Sequence, residues 1–355
     1  MGLSTELKLE YNRAVEFIGA IIKYTTKKTR QAHWNTGDLE KDAQDILNFT
    51  PNEKVEEWLI HVDTNISHLF RNDFLFVTDE AYRLVDMCLH LILMKNISTP
   101  LDLIEALKTV DMDVMVAVVY KFYELDAPLD DEGKLRKAIT ENFSRETADS
   151  FLQLKKHPQQ FRDRAVVVLK EFYHEFYEPF EKTVYDFMDT RLALHNELFD
   201  KDPVHFINTI GIGDYSKAIE QHRSILIYVS YFLDVGVLYF TYEDTLVMCT
   251  GQTIEHKFEN GKTQPSYASF FKALSDNKRI EILRLTSKRP WYNKELADHF
   301  NLSTATLSYH LNLLLDLRVL NFEPSIVNNR YYYTSNKEQI DELFDGALKY
   351  LTEKK

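Results

Sequence analysis

Between Asn301 and Leu314 the chain gathers hydroxyls, a phenol and a carboxamide without a single carboxylate. Read as a helix, Thr304, Ala305, Ser308, Tyr309 and Asn312 share one face, and Leu307, Leu311 and Leu314, at i, i+4 and i+7, form an apolar stripe on the other. Thr306 can turn inward, and His310 lies between the faces. Ser303 ahead of them is a good N-cap, its hydroxyl able to accept an orphan N–H of the first turn. Such a face can hydrogen-bond a polar surface pressed close against it. The major groove of DNA is a surface of this kind: it admits a helix, and side chains near the helix N-terminus read the base edges. An ordinary amphipathic surface helix shows the same pattern, so the flanking elements have to decide.

Those flanks read as a winged helix-turn-helix. Ser266 to Leu274 is a helix with Phe270, Phe271 and Leu274 apolar, and Ser275-Asp276 caps the next, Asn277 to Ser287. Pro290 interrupts, Asn293 caps a short helix from Lys294 to Phe300, and Asn301-Leu302 is the turn into the helix described above. Val319 to Val327 then reads as a strand, Asn328-Asn329 supplies the positive φ of a tight hairpin, and Arg330 to Thr334 returns as a second strand. This hairpin is a wing with a cation at its tip. A closing helix, Lys337 to Glu353, carries Ile340, Leu343, Phe344, Ala347, Leu348 and Leu351 on one stripe, open both to packing within the chain and to dimerisation. Arg289, Lys294 and Arg330 are placed to neutralise phosphates; for His310, phosphate contact and a structural hydrogen bond stand level.

Three strings carry a resemblance: Leu274-Ser275-Asp276-Asn277-Lys278-Arg279-Ile280-Glu281-Ile282-Leu283, then Glu295-Leu296-Ala297, then Leu307-Ser308-Tyr309-His310-Leu311 with Leu314. Over about its last 85–90 residues the chain resembles the ArsR-type family of bacterial transcriptional regulators. The resemblance implies a dimer that binds double-stranded operator DNA. It implies DNA-facing roles for Thr304, Ala305, Thr306, Ser308, Tyr309 and His310, and for Arg330 with Asn328 and Asn329 in the wing; Asn312 joins them from its place on the polar face. The sequence departs from the family at its metal sites. Where a thiolate site needs Cys, this chain has Tyr292-Asn293-Lys294-Glu295-Leu296, and the last helix has Asp341, Glu342 and Asp345 but no His. No metal or other cofactor is therefore expected. Arg318 stands where the family commonly has Gly.

The remaining chain is a different material. Residues 265–355 hold 13 Lys and Arg against 11 Asp and Glu, while the rest holds 29 against 44. An acidic body thus precedes a mildly basic module, a distribution that suits a DNA-binding segment carried by a separate domain. The expected fold is mainly α (α+β). Residues 1–260 should form a helical sensor or dimerisation domain with a small antiparallel sheet, a meander near 222–258, and residues 266–355 the winged helix, with the polar stretch Glu259 to Pro265 as linker. A short strand is expected at 5–11 and a helix at 12–30 and at 38–48; Thr50-Pro51 and Thr99-Pro100 open helices, and a long helix runs from about 159 to 199 with Pro179 as its weak point. Along it Phe172, Phe176 and Phe180 read as core, with a ligand cavity as the lesser alternative.

Catalytic signatures are missing. The twelve His form no His-x-x-x-His pair, His61 and His68 are too widely spaced for one metal, and Gly211-Ile212-Gly213 lacks the rest of a dinucleotide fingerprint. Cys88 and Cys249 are isolated in apolar runs, which fits buried thiols in a reducing compartment. No secretory signal opens the chain, and the longest apolar runs fall far short of a membrane span, so a cytoplasmic protein without a membrane partner is expected. The leading expectation is a regulator, a repressor in its simplest form, whose body answers to a small-molecule or protein effector. A small-molecule-binding enzyme regulated by the winged helix and a protein-interaction scaffold are the alternatives.

Overall fold

The computed structural model describes residues 5–33, 52–123, 127–211, 219, 224–233, 237–251, 267–302, 304–325 and 330–352. Strand β1 (Glu6–Glu10) leads directly into α1 (Arg13–His33). Asn12 starts that helix by accepting the Ala14 and Val15 N–H groups at 2.9 and 3.1 Å. The helix expected at 38–48 and the Thr50-Pro51 start lie outside the described residues. The next helix, α2 (Glu53–Asn65), is capped by Asn52. Then follow α3 (His68–Val77), α4 (Leu84–Lys95), α5 (Pro100–Thr109), α6 (Met112–Phe122), α7 (Glu132–Asn142), α8 (Arg145–Lys156) and α9 (Pro158–Phe172). At α5 the expected cap is present: Thr99 Oγ1 accepts from Asp102 N at 3.2 Å and donates to its carboxylate at 2.7 Å.

The long helix through residue 179 changes pitch instead of stopping. Between α9 and α10 (Glu178–Lys201) lies a π-helical turn, Tyr173–Tyr177. Pro179 has no N–H to donate, and its ring would strike the carbonyl four residues back; the wider turn ahead of it relieves both problems. The Trp58 indole donates to Phe176 O at 2.8 Å across this turn. The aromatic run behaves as core: Phe172 is fully buried, 4.4 Å from the Phe74 ring centroid. Helix α11 (Pro203–Gly211) precedes the sheet.

The sheet corrects the expected antiparallel meander. Strands β2 (Ser224–Ser230), β3 (Val237–Tyr242) and β4 (Thr245–Gly251) form a four-stranded sheet with β1, in the order β1-β2-β4-β3. β1 pairs with β2 and β2 with β4 in parallel, and only the β3–β4 hairpin is antiparallel. β1 takes the edge beside β2, and the chain passes over β4 to place β3 on the far edge, so β2 meets its parallel neighbours through long connections. The sheet is a wall between two cores. Tyr228, Val247 and Cys249 face the first, with α1 and the aromatic run, and Ile225, Ile227, Leu246 and Met248 face the second. Glu16 fastens α1 to the end of β2. It is buried, and accepts from Ser230 Oγ at 2.9 Å, Tyr231 N at 2.9 Å and Phe232 N at 3.2 Å. Burial pushes its carboxyl up to about 7 against the opposing effect of those bonds.

The C-terminal part runs α12 (Tyr267–Leu274), α13 (Asn277–Thr286), β5 (Trp291–Tyr292), α14 (Asn293–Phe300), α15 (Thr304–Asp316), β6 (Leu320–Ser325), β7 (Arg330–Ser335) and α16 (Lys337–Thr352). β5, hidden in the sequence behind Pro290, pairs with β7 and completes a three-stranded antiparallel sheet in the order β5-β7-β6. The buried leucines of this module belong to the second core, which continues from the far face of the larger sheet.

Candidate nucleic-acid interface

The turn between α14 and α15 is built by Asn301, whose φ of 50° is left-handed. Asn accepts this conformation more readily than most residues. The turn closes with Leu302 N donating to Ala297 O at 2.9 Å and Asn301 N to Asp298 O at 3.2 Å, a Schellman pair. It redirects the chain into α15, whose Leu307, Leu311 and Leu314 are fully buried. That anchoring sets the roll of the helix about its own axis. Thr304, Ala305, Thr306, Ser308 and Tyr309 occupy its first two turns. Asn312 is exposed. Arg330 opens β7 opposite Ser325, where the hairpin pairing ends. Asn328 and Asn329, the expected turn, lie outside the described residues, as does Ser303.

Of the two roles left open for His310, burial departs from the DNA-facing one that the resemblance implies. It is 3% exposed, so its ring belongs to the interior of the module and not to a groove-facing surface. Burial lowers its pKa most; the carboxylate of Asp276 opposes that, and Arg279 and Lys278 reinforce it. The residue facing it, Arg279, is itself buried, and its Nε donates to Ala273 O at 2.5 Å. Arg279 thus joins the end of α12 to the start of α13 beneath α15, a structural task that its sequence position conceals. Arg289 is also committed within the chain. Its guanidinium bonds both Glu295 oxygens at 3.2 Å and lies 3.9 Å over the Trp291 ring, which leaves less of its charge for phosphate than the sequence suggests.

Arg318 follows the end of α15 in a left-handed conformation, φ 60°. Arg318 N donates to Leu315 O at 2.8 Å and Val319 N to Leu314 O at 3.1 Å, the hydrogen bonds of a second Schellman motif. The position is one that glycine fits without strain. On another side of the module, α12 and α16 approach closely: a Cβ on Gly346 would lie 2.5 Å from the Tyr267 hydroxyl. Both helices leave apolar side chains in solvent, with Phe271 43%, Phe344 46%, Leu348 63% and Leu351 74% exposed.

The comparisons with known proteins fall on this module. The family described as bacterial regulatory protein, arsR family, matches residues 276–321, from the cap of α13 through α15 to the start of β6. The "Arsenical resistance operon repressor" of Bacillus subtilis (strain 168) is 34% identical over 83 residues, which span 23% of this chain and 77% of that repressor. The chain belongs to the ArsR family. The repressor of the same description from Staphylococcus aureus is 32% identical over 79 residues, 22% of this chain and 74% of its own length. "Transcriptional repressor SdpR" of Bacillus subtilis (strain 168) is 30% identical over 81 residues, 23% of this chain and 88% of its own. Each relative therefore accounts for less than a quarter of this ArsR-family chain. Tyr292 to Leu296, where the resemblance would put a thiolate site, run from the end of β5 into α14, and both cysteines of the chain, Cys88 and Cys249, are buried elsewhere.

Proposed function

We propose that the chain is a homodimeric, sequence-specific DNA-binding transcriptional repressor, divided between residues 1–260 and 266–355, whose N-terminal part answers to a small-molecule or protein signal. The observation that carries this reading is α15: a helix held by three buried leucines behind a left-handed Asn turn, inside the stretch shared with named repressors. Thr304, Ala305, Thr306, Ser308, Tyr309 and Asn312 are the proposed readers, and Arg330 with Asn328 and Asn329 the proposed wing contacts. His310 is left out because it is buried. Arg318 and Arg330 supply phosphate contacts.

Two copies joined through α12 and α16 would cover Phe271, Phe344, Leu348 and Leu351 and present two reading helices to successive major grooves, about 34–36 Å apart. A signal that alters this spacing releases the operator. Among the described residues no single helix is long and apolar enough to cross a membrane. Selection of bound sequences from a random pool, followed by titration of the winner at rising salt, tests the proposal. An enriched, roughly palindromic sequence whose affinity falls steeply with salt is expected, because phosphate contacts release counterions. No enrichment, or binding indifferent to salt, overturns it.

A further inference from the structure

On the first-core side of the sheet lies a cleft of about 230 Å³, lined by α1, the turn into α4, α4 itself and β3. Ile22, Leu89 and Phe240 give it an apolar wall, and Asp79, Arg83 and Asp86 a charged one. Its volume is below the roughly 300–1,000 Å³ typical of drug-sized sites, which suits a small metabolite.

The charged wall is unusual in its backbone. Arg83 precedes α4 with φ 53° and ψ 35°, left-handed, and makes no side-chain cap for the helix it starts. A residue with a side chain holds that conformation only against a steric cost, and such outliers gather at ligand sites. The conformation sets the guanidinium 3.5 Å over the Phe122 ring and against Asp86, with Nη2 donating to Oδ1 at 2.9 Å and Nε 2.8 Å from Oδ2. Nη2 alone is hydrogen-bonded; Nε sits within ion-pair distance but makes no hydrogen bond, and no described residue accepts from Nη1. Asp79 accepts the Ala81 N–H with Oδ1 at 2.8 Å, and no described residue donates to its second oxygen. A guanidinium held by Asp86 and a second carboxylate, Asp79, with an oxygen open among the described residues, therefore share one small cleft with an apolar wall.

We propose that this cleft binds a free α-amino acid: its carboxylate on Arg83, its ammonium on Asp79, its side chain against Leu89 and Phe240. Opposite charges on the wall select a ligand carrying both, and the apolar wall favours an aliphatic or aromatic side chain. Its role as the effector site rests on the repressor reading above. The route to the reading helix is short in topology. Phe240 on β3 pairs with Val247 on β4, and the neighbouring Leu246 and Met248 enter the core that also holds Leu307, Leu311 and Leu314.

Thermal denaturation and calorimetric titration of the full chain against each common amino acid at millimolar concentration test this. One chemical subset should raise Tm by about 2–4 °C, while its N-acetylated and amidated forms should not. Asp79→Asn and Arg83→Gly should each weaken binding about tenfold or more. Glycine adopts the conformation of residue 83 freely, so Arg83→Gly should keep its circular dichroism while losing the ligand. The proposal is overturned if no amino acid moves Tm, or if binding ignores both substitutions. Operator binding measured on the same protein without ligand separates the two readings. Absent operator binding sinks the repressor; retained operator binding with no amino-acid response sinks only this site.

Discussion

The aromatic stripe through Phe172, Phe176 and Phe180 closes on partners within the chain, whereas the apolar stripe of α16 closes over only part of its width. Phe172 meets Phe17, Tyr24, Trp58, Phe74 and Phe176, drawn from α1, α2, α3 and the π turn. On α16, Leu343 and Ala347 are buried while Phe344, Leu348 and Leu351 face solvent. Helical periodicity announces both stripes equally well, since it reports only that one face is apolar. Burial depends on what the rest of the chain brings to that face. The body covers the aromatic stripe with its own helices, although single residues such as Leu69 and Val167 stay exposed elsewhere on it; the C-terminal module leaves three neighbouring apolar residues of its last helix open, as a surface made for a second copy would be.

Truncating one residue from each stripe is the strongest way to break this contrast. Phe172→Ala should lower the denaturant-derived stability of the body by about 3–5 kcal/mol, the range for a large side chain lost from a packed core. Leu348→Ala should change the folding stability of the isolated protomer by no more than about 0.5 kcal/mol. Comparable losses at the two positions would mean that α16 is as fully packed as the aromatic run and that no face is held in reserve.

The body also buries an ionisable group, and the pH dependence of its stability should show it. The Glu16 carboxyl has an ordinary value of 4.5 and is pushed up to about 7 in the fold. The folded state therefore binds this proton more tightly than the unfolded chain does. The resulting stabilisation is fully present below about 4.5 and is lost as pH rises towards about 7. Its full size is roughly 3 kcal/mol, since a tenfold change in proton affinity is worth about 1.4 kcal/mol. Urea midpoints across this window should fall for the natural chain, and Glu16→Gln should remove that share of the slope. Equal slopes for the two proteins would mean that another group sets the pH response.

A third test concerns the solvent-facing part of α16. Leu348→Glu with Leu351→Glu places like charges where two copies would meet. Sedimentation should show dimer dissociation strengthened by about tenfold or more, some 1.4 kcal/mol, with circular dichroism unchanged. An unaltered dimer would move the interface elsewhere on the chain.

The two regions also differ in how far the sequence discloses them. The reading module is punctuated locally: Asp276 caps α13 through its own neighbours Lys278 and Arg279, and Asn301 turns the chain within a few residues. Every such signal lies inside a window that single residues control. The mixed sheet has no such window. Glu6 pairs with Ser224, and nothing near either residue states that the partner is distant or the pairing parallel. His310 sits at the boundary of two helical faces, and its inward orientation is settled by α13 packing beneath it, beyond the reach of periodicity along α15 alone. The cleft beside Arg83 was hidden for a related reason, because its polar residues come from segments that only tertiary packing unites.

The smallest expected effect separates stability from reading within a single residue. Arg318 holds a left-handed backbone at the end of α15, a conformation that costs a side-chain-bearing residue about 1–2 kcal/mol. Glycine removes that cost but loses more backbone entropy on folding, by roughly 0.5–1 kcal/mol. Arg318→Gly should therefore stabilise the module by about 0.5–1 kcal/mol, seen as a higher denaturant midpoint with an unchanged slope. If the exposed guanidinium also reaches a phosphate, the same variant should bind operator and scrambled DNA more weakly by the same factor and with a shallower salt dependence. A gain in stability with no change in DNA affinity would assign Arg318 to the turn alone. A loss of stability would show that contacts of the Arg318 side chain outweigh the backbone it strains, and the family's preference for Gly at this turn would then be no guide to this chain.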